Sequence, residues 1–319
     1  MVDPRVETVA RILVDYSVKV KPNQLVRIAG APEGAPLILA VYQKVLERGA
    51  HPFLQLELDE AGELLYRYAS NAQLDYVPPF RKDVIEQIDA AIGIWTDVNT
   101  KHLSNADPAK QSRRATALRP LSDRFLDRAA KKELHWTGTI YPTQAFAQDA
   151  EMSLREFEDF VYSGCLVHES DPIKAWKKIS REQQHIVDRL NKARKIHVVG
   201  PDTDLKLEVT GRKWENCDGH ENFPDGEIFT GPIEDSVNGH IRYSYPACAY
   251  GREAEDVRLW FKDGKVVKAT AAKNEEFLLK MLKTDKGARY VGEFAFGTNY
   301  GIQRFTKNTL FDEKIGGTI

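Results

Sequence analysis

From Asp3 to Ile140 the chain switches repeatedly between two hydrophobic periods, and this alternation limits the fold more than any other feature. Val6, Val9, Ala10, Leu13 and Val14 recur at helical spacing behind an Asp3-Pro4 start signal. Residues 24–30 then run apolar as a strand that ends in glycine. Residues 35–48 return to helical spacing and close at Gly49. Residues 52–58 alternate like a strand, 61–68 read as a helix, and 90–95 as a buried strand. Residues 109–132 form a helical pattern broken at Pro120, and 134–140 a further strand. Strands separated by helices predict a parallel sheet covered on both faces, because parallel neighbours need a crossover between them.

Beyond a polar, helical stretch at 153–195 the texture changes. Residues 195–200, 205–209, 241–245, 257–261 and 266–269 read as short strands between glycine-rich turns, with one helix at 274–283 and a strand at 289–296. Asp263-Gly264 joins two of these strands as a two-residue hairpin loop. The expected fold class is α/β: an N-terminal parallel-sheet domain over 1–190, then a β-rich α+β domain over 191–319. The 319 residues agree with two domains at about 150 residues each.

Charge and cysteine content exclude several function classes. Lys plus Arg is 45 and Asp plus Glu is 47, a net of −2, so there is no positive field of the kind that nucleic-acid binding requires. No apolar run is long enough to span a membrane. The three cysteines, Cys165, Cys217 and Cys248, cannot all pair and show no C-x-x-C spacing, which points to a reducing, cytoplasmic setting. Residues 30–34 follow a strand and open a helix, yet they lack the G-x-G-x-x-G dinucleotide fingerprint and read as a tight turn. Cys217-Asp218-Gly219-His220 has C-x-x-H spacing without a second ligand pair.

Two acids stand out in the second half. Glu227 follows a Pro-Asp-Gly turn just ahead of an apolar pair, a rigid position suited to holding a cation. Glu293 is a lone acid in the apolar run Val291-Gly292-Glu293-Phe294-Ala295-Phe296. A buried carboxylate needs a cation, a metal or a proton, so Glu293 calls for one of these or for an arginine such as Arg242 or Arg289. Asp312-Glu313 adds a further acidic pair. Hard or borderline divalent metals accept such carboxylates.

At these residues the chain resembles the M29 metallo-aminopeptidases. The matching stretches are Gly200-Pro201-Asp202-Thr203-Asp204-Leu205, residues 222–230, Glu234-Asp235-Ser236-Val237-Asn238-Gly239 and Gly287-Ala288-Arg289-Tyr290-Val291-Gly292-Glu293. Further matches are Gly297-Thr298-Asn299 and residues 310–318. The resemblance implies two divalent metal ions (cobalt, zinc or magnesium) held by two Glu, two His and one Asp, assisted by a Tyr. The two Glu correspond to Glu227 and Glu293, with Glu293 also catalytic beside the nucleophilic water. It implies a peptide substrate cleaved at its first bond, no nucleic-acid or membrane partner, and a homodimer. It places the first His directly after the Gly-Gly-Thr segment and the remaining ligands further on, past Ile319. The second domain is therefore expected to be incomplete at its C-terminal end, and the alternative reading is an inactive remnant serving as a binding or dimerisation module.

Overall fold

The computed structural model describes residues 3–249 and 252–319. Helix α1 (Pro4–Ile12) runs on through one wider π turn before strand β1 (Leu25–Gly30). There follow α2 (Ala35–Glu47), β2 (His51–Leu56), α3 (Asp59–Tyr68), α4 (Asn71–Asp75), α5 (Phe80–Gln87) and β3 (Ala90–Trp95). Next come α6 (Pro108–Ala130), β4 (His135–Ile140), α7 (Gln144–Asp149), α8 (Leu154–Gly164) and α9 (Pro172–Leu190). The later chain forms β5 (Lys195–Gly200), β6 (Thr203–Glu208), β7 (Glu215–Cys217), β8 (Asn222–Phe223) and β9 (Glu227–Thr230). It continues with β10 (Asn238–Arg242), β11 (Ala247–Ala249), β12 (Arg252–Ala254), β13 (Arg258–Lys262) and β14 (Lys265–Thr270). Helix α10 (Glu275–Met281), β15 (Phe294–Gly297) and α11 (Thr309–Asp312) come last.

The described residues fall into two compact units, 3–173 with 219–224, and 174–218 with 225–319. The first holds a five-stranded sheet in the order β2-β1-β3-β4-β8, parallel throughout. Its central strands are the apolar runs of the sequence: Val26, Ile28, Ala90, Ile92 and Ile94 are all essentially inaccessible. Helix starts are fixed locally. Asp3 accepts a hydrogen bond from Arg5 N at 2.9 Å, and Asp107 accepts one from Ala109 N at 2.8 Å, each just ahead of a proline in the first turn.

Pro120 does not break its helix; α6 is continuous through it. One lost backbone bond is offset by anchors at both ends. Arg114 donates to the carbonyls of Leu74 and Tyr76, while Arg128 donates to those of Ile85, Ile88 and Glu133. The unit boundary falls at 173/174, ahead of the division expected near 190. The reason is packing: Val187 of α9 joins the core of the second unit with Leu205, Leu207, Val209 and Trp214.

The second unit holds an antiparallel five-stranded sheet, β14-β13-β10-β6-β5, a three-stranded sheet, β15-β9-β7, and the β11-β12 pair. In the β13–β14 hairpin Asp263 and Gly264 both take positive φ (47° and 77°), the mirror-image turn that matches strand twist. A side chain at position 264 would run into the Glu234 carbonyl. Trp214, Phe294 and Phe296 close the core, with ring centroids 5.3 to 6.3 Å apart.

The strand order makes a stability prediction. Ile28→Ala in central β1 removes a fully buried side chain and should cost about 2–5 kcal/mol in urea denaturation. Leu54→Ala on edge strand β2, where the side chain is 37% exposed, should cost under about 1 kcal/mol.

Candidate functional site

Glu227 is the first residue of β9, the middle strand of its sheet, opposite Gly297 of β15 and Cys217 of β7. It is 6% exposed. The turn before it is tightly specified. Gly226 has φ +121°, and a side chain there would collide with the backbone and Cβ of Asn299. Asn299 Nδ2 in turn donates to the Asp225 carbonyl at 2.7 Å, and Thr298 N donates to the Gly226 carbonyl at 2.8 Å. Helix α9 contributes the buried Gln183. Its amide nitrogen donates to Asn216 Oδ1, to the Cys217 carbonyl and to the Glu227 carbonyl at 2.8, 3.0 and 3.2 Å, and its oxygen accepts from Thr298 Oγ1 at 3.2 Å. One side chain thus fastens three strand ends around the carboxylate.

The charge facing Glu227 is Lys314, itself 2% exposed. Its Nζ lies 3.1 Å from Glu227 Oε2 and 3.1 Å from Glu313 Oε2. The chain delivers Lys314 through backbone pairing, with Asn299 N donating to the Lys314 carbonyl at 3.0 Å and Gly316 N to that of Asn299 at 3.1 Å. Burial pulls the Lys314 ammonium down, but the carboxylates of Glu227, Asp225 and Glu313 outweigh it and hold it above its ordinary value. Burial pushes the Glu227 carboxyl up, against the opposing pull of Lys314. Donor atoms of Cys217, Asp225 and Glu227 all lie within 4.8 Å of one another, a group able to hold a cation. One thiol and two carboxylates suit a borderline divalent ion such as zinc or cobalt, and of the carboxylates the resemblance implies this group contains Glu227 and not Glu293.

Glu293 differs from its expectation. It is exposed and sits just ahead of β15, outside the strand, not buried within one. The flanking glycine and the strand's late start leave its side chain on the surface. Neither candidate arginine pairs with it: Arg242 is bound to Asp256, and Arg289 donates to the carbonyls of Leu282 and Val266. The β15–β9 register sets Gly297, four positions along, opposite Glu227, and Glu293 is not in the Cys217–Asp225–Glu227 group. Its charge still reaches Glu227, adding a small upward push on that carboxyl.

The Asp312-Glu313 pair also separates. Asp312 accepts from Thr306 N and Oγ1 at 2.7 and 2.9 Å, and burial drives its carboxyl up to about 6 against those bonds. Glu313 is exposed and turns to Lys314. Of the C-x-x-H residues, His220 belongs to the first unit, where its ring packs 4.8 Å from that of Tyr16, while Cys217 belongs to the second. Lys314 and Gln183 were not legible as site residues. The only signal was a lysine between two acids and an apolar-glycine segment. A further mixed group, Asp59, Asp97 and His102, lies past the ends of β2 and β3 in the first unit, its donor atoms also within 4.8 Å of one another.

A buried carboxylate beside further hard and soft donors is a group able to hold a divalent cation. The profile of the thermophilic metalloproteases (M29) matches residues 2–319, and the chain belongs to this family of metallopeptidases. It is 27% identical to aminopeptidase 2 of Geobacillus stearothermophilus over 95% of this chain and 80% of that protein. It is 30% identical to aminopeptidase T of Thermus aquaticus over 58% of this chain and 48% of that protein. The solved structure of wild-type AmpT from Thermus thermophilus superposes with a TM-score of 0.87 at 23% identity, covering 98% of this chain and 84% of that one.

Two expectations test the site. Lys314→Met strands a buried carboxylate and should cost about 3–5 kcal/mol in urea denaturation at pH 7, whereas adding Glu227→Gln should recover most of the loss. Equal losses in the single and double variants would count against a coupled pair. For Asp312 the folded carboxyl binds its proton more tightly than the unfolded one, so its contribution is fully present below pH 4 and is lost as pH rises to about 6. Wild type should lose on the order of 2 kcal/mol between pH 4 and 7 relative to Asp312→Asn, after allowance for partial exposure. Parallel pH profiles of the two proteins would refute it.

Proposed function

We propose that the chain is the metal-site-bearing part of an aminopeptidase that cleaves the N-terminal peptide bond with two divalent metal ions, cobalt, zinc or magnesium. The observation that carries this reading is the buried Glu227 carboxylate, grouped with Asp225 and Cys217 within 4.8 Å on a residue whose main-chain carbonyl accepts from Gln183. In this reading Glu227 and Glu293 are the metal ligands, and the other ligands come from segments that the family resemblance places after Thr318. Bound ions would lower the pKa of a water and polarise the scissile carbonyl.

The chain's own residues divide the remaining work. Glu227, its backbone fixed by strand pairing and by Gln183, provides a rigid anchor whose carboxylate faces Lys314. Glu293, which is solvent-exposed, is the carboxylate suited to accept a proton at Oε from the attacking water. A homodimer in the cytoplasm completes the proposal, and the names of the aminopeptidase relatives support peptides as its substrates. One observation favours the alternative of a non-catalytic module: an ammonium already neutralises Glu227.

Cobalt titration by calorimetry, with leucyl-p-nitroanilide hydrolysis measured alongside, separates the two. Glu227→Gln and Glu293→Gln should each weaken cobalt binding at least about tenfold and remove any cobalt-dependent hydrolysis. These 319 residues should bind cobalt weakly and turn over slowly. Cobalt affinity unchanged in both variants would sink the metal assignment.

A further inference from the structure

Many arginines of this chain have a clear partner. Arg5, Arg48, Arg113, Arg124 and Arg242 each contact a carboxylate, and the buried Arg128 is satisfied by three main-chain carbonyls. Arg27 contrasts with these. It lies mid-strand in β1, half-buried, and its Nε is fully shielded from solvent with no hydrogen-bond partner. Its guanidinium carbon stands 5.5 Å from the centroid of the Phe125 ring. The nearby acid does not answer it, since Glu57 accepts instead from Gln55 Nε2 at 3.1 Å. Burial draws the Arg27 guanidinium below its ordinary value, Glu57 opposes this, and the charge of Arg81 adds to it. A cation withdrawn from water without a partner is a costly arrangement unless something else supplies the anion.

Arg27 and Arg81 line the same cleft of about 720 Å³ within the first unit, formed by β1, β2, α5 and α6. Arg81 is also half-buried, and among the described residues its side chain has no hydrogen-bond or ion-pair partner. The other walls are apolar: Phe53, Leu56, Phe80, Leu121 and Phe125. Phe53, Leu56 and Phe80 are exposed by 39, 53 and 64%. A volume within the ordinary range for small ligands, apolar walls and a few convergent polar groups are what a binding pocket presents. Its charged lining is two guanidiniums, Arg27 and Arg81, against the single carboxylate of Glu57, so the excess charge is positive.

We propose that this cleft binds a small organic anion with an apolar body, a carboxylate in its simplest form. The charge is held by Arg27 and Arg81, and the hydrocarbon part lies on the aromatic walls. The site is separate from the Glu227 centre and does not depend on the proposed activity. Guanidinium pairs carboxylates bidentately, so the neutral isostere of a ligand should be rejected.

Calorimetry with 3-phenylpropionate as probe and 3-phenylpropanamide as neutral control tests this. The carboxylate should bind at least about tenfold more tightly than the amide, a difference of about 1.4 kcal/mol. Arg27→Met should abolish that preference while raising the urea midpoint, because it removes an unpartnered charge from the interior. Arg81→Gln, on a helix surface, should weaken the carboxylate without unfolding the protein, and Arg67→Gln outside the cleft should change nothing. Equal binding of acid and amide, no binding of either, or full affinity in Arg27→Met would overturn the proposal. So would sedimentation showing a dimer that Phe80→Asp dissociates and no probe binding, since the face would then be covered by a second copy.

Discussion

The buried pair between Lys314 and Glu227 is the contact on which the arrangement of the second unit's candidate site turns. A carboxylate at 6% exposure at the head of a strand is not tolerated alone, and an ammonium at 2% exposure is tolerated still less. Each makes the other possible. Their meeting requires three backbone segments to hold register at once: the turn ahead of Glu227, the strand exit at Thr298 and Asn299, and the segment carrying Lys314 to Gly317. Gly226 permits the first two to approach, because no side chain fits between it and Asn299. Gln183 then ties the assembly to α9, which accounts for that helix belonging with the second unit.

The same geometry separates two acids that look alike in sequence. Glu227 begins β9, paired on both sides, and its side chain inherits the rigidity of the sheet. Glu293 stands outside β15 and is exposed. Environment, not residue type, distinguishes a buried carboxylate from an exposed one, and here it does so at the two ends of one short stretch of paired strands.

Much of the fold was legible because hydrophobic period is a local property. The parallel sheet, its helices and the Asp263-Gly264 hairpin all follow from spacing and turn chemistry within short windows. The misread features depend on distant partners. Pro120 looks like a break until Arg114 and Arg128 are seen pinning the helix to carbonyls far away in sequence. Glu293 looks buried because Val291, Phe294 and Phe296 surround it in sequence, but the strand begins one residue too late to bury it. Glu227 was legible through its Pro-Asp-Gly turn. Its counter-ion was not, since nothing local links Lys314 to a residue so far back in the chain.

That counter-ion also sets how the site treats metal. A divalent ion approaching Glu227 meets a positive charge already in contact with the carboxylate. Two unit charges 4 Å apart interact by about 4 kcal/mol at an effective dielectric of 20, and a divalent ion doubles the term. Asp225, Glu227 and the Cys217 thiol must together supply more than this before a metal is favoured. Such a balance makes metal affinity depend steeply on how many further donors join the group, because each added ligand acts against a fixed repulsion. Lys314 offsets only part of the negative charge that Glu227, Asp225 and Glu313 place around it, so the cluster keeps an excess of carboxylate.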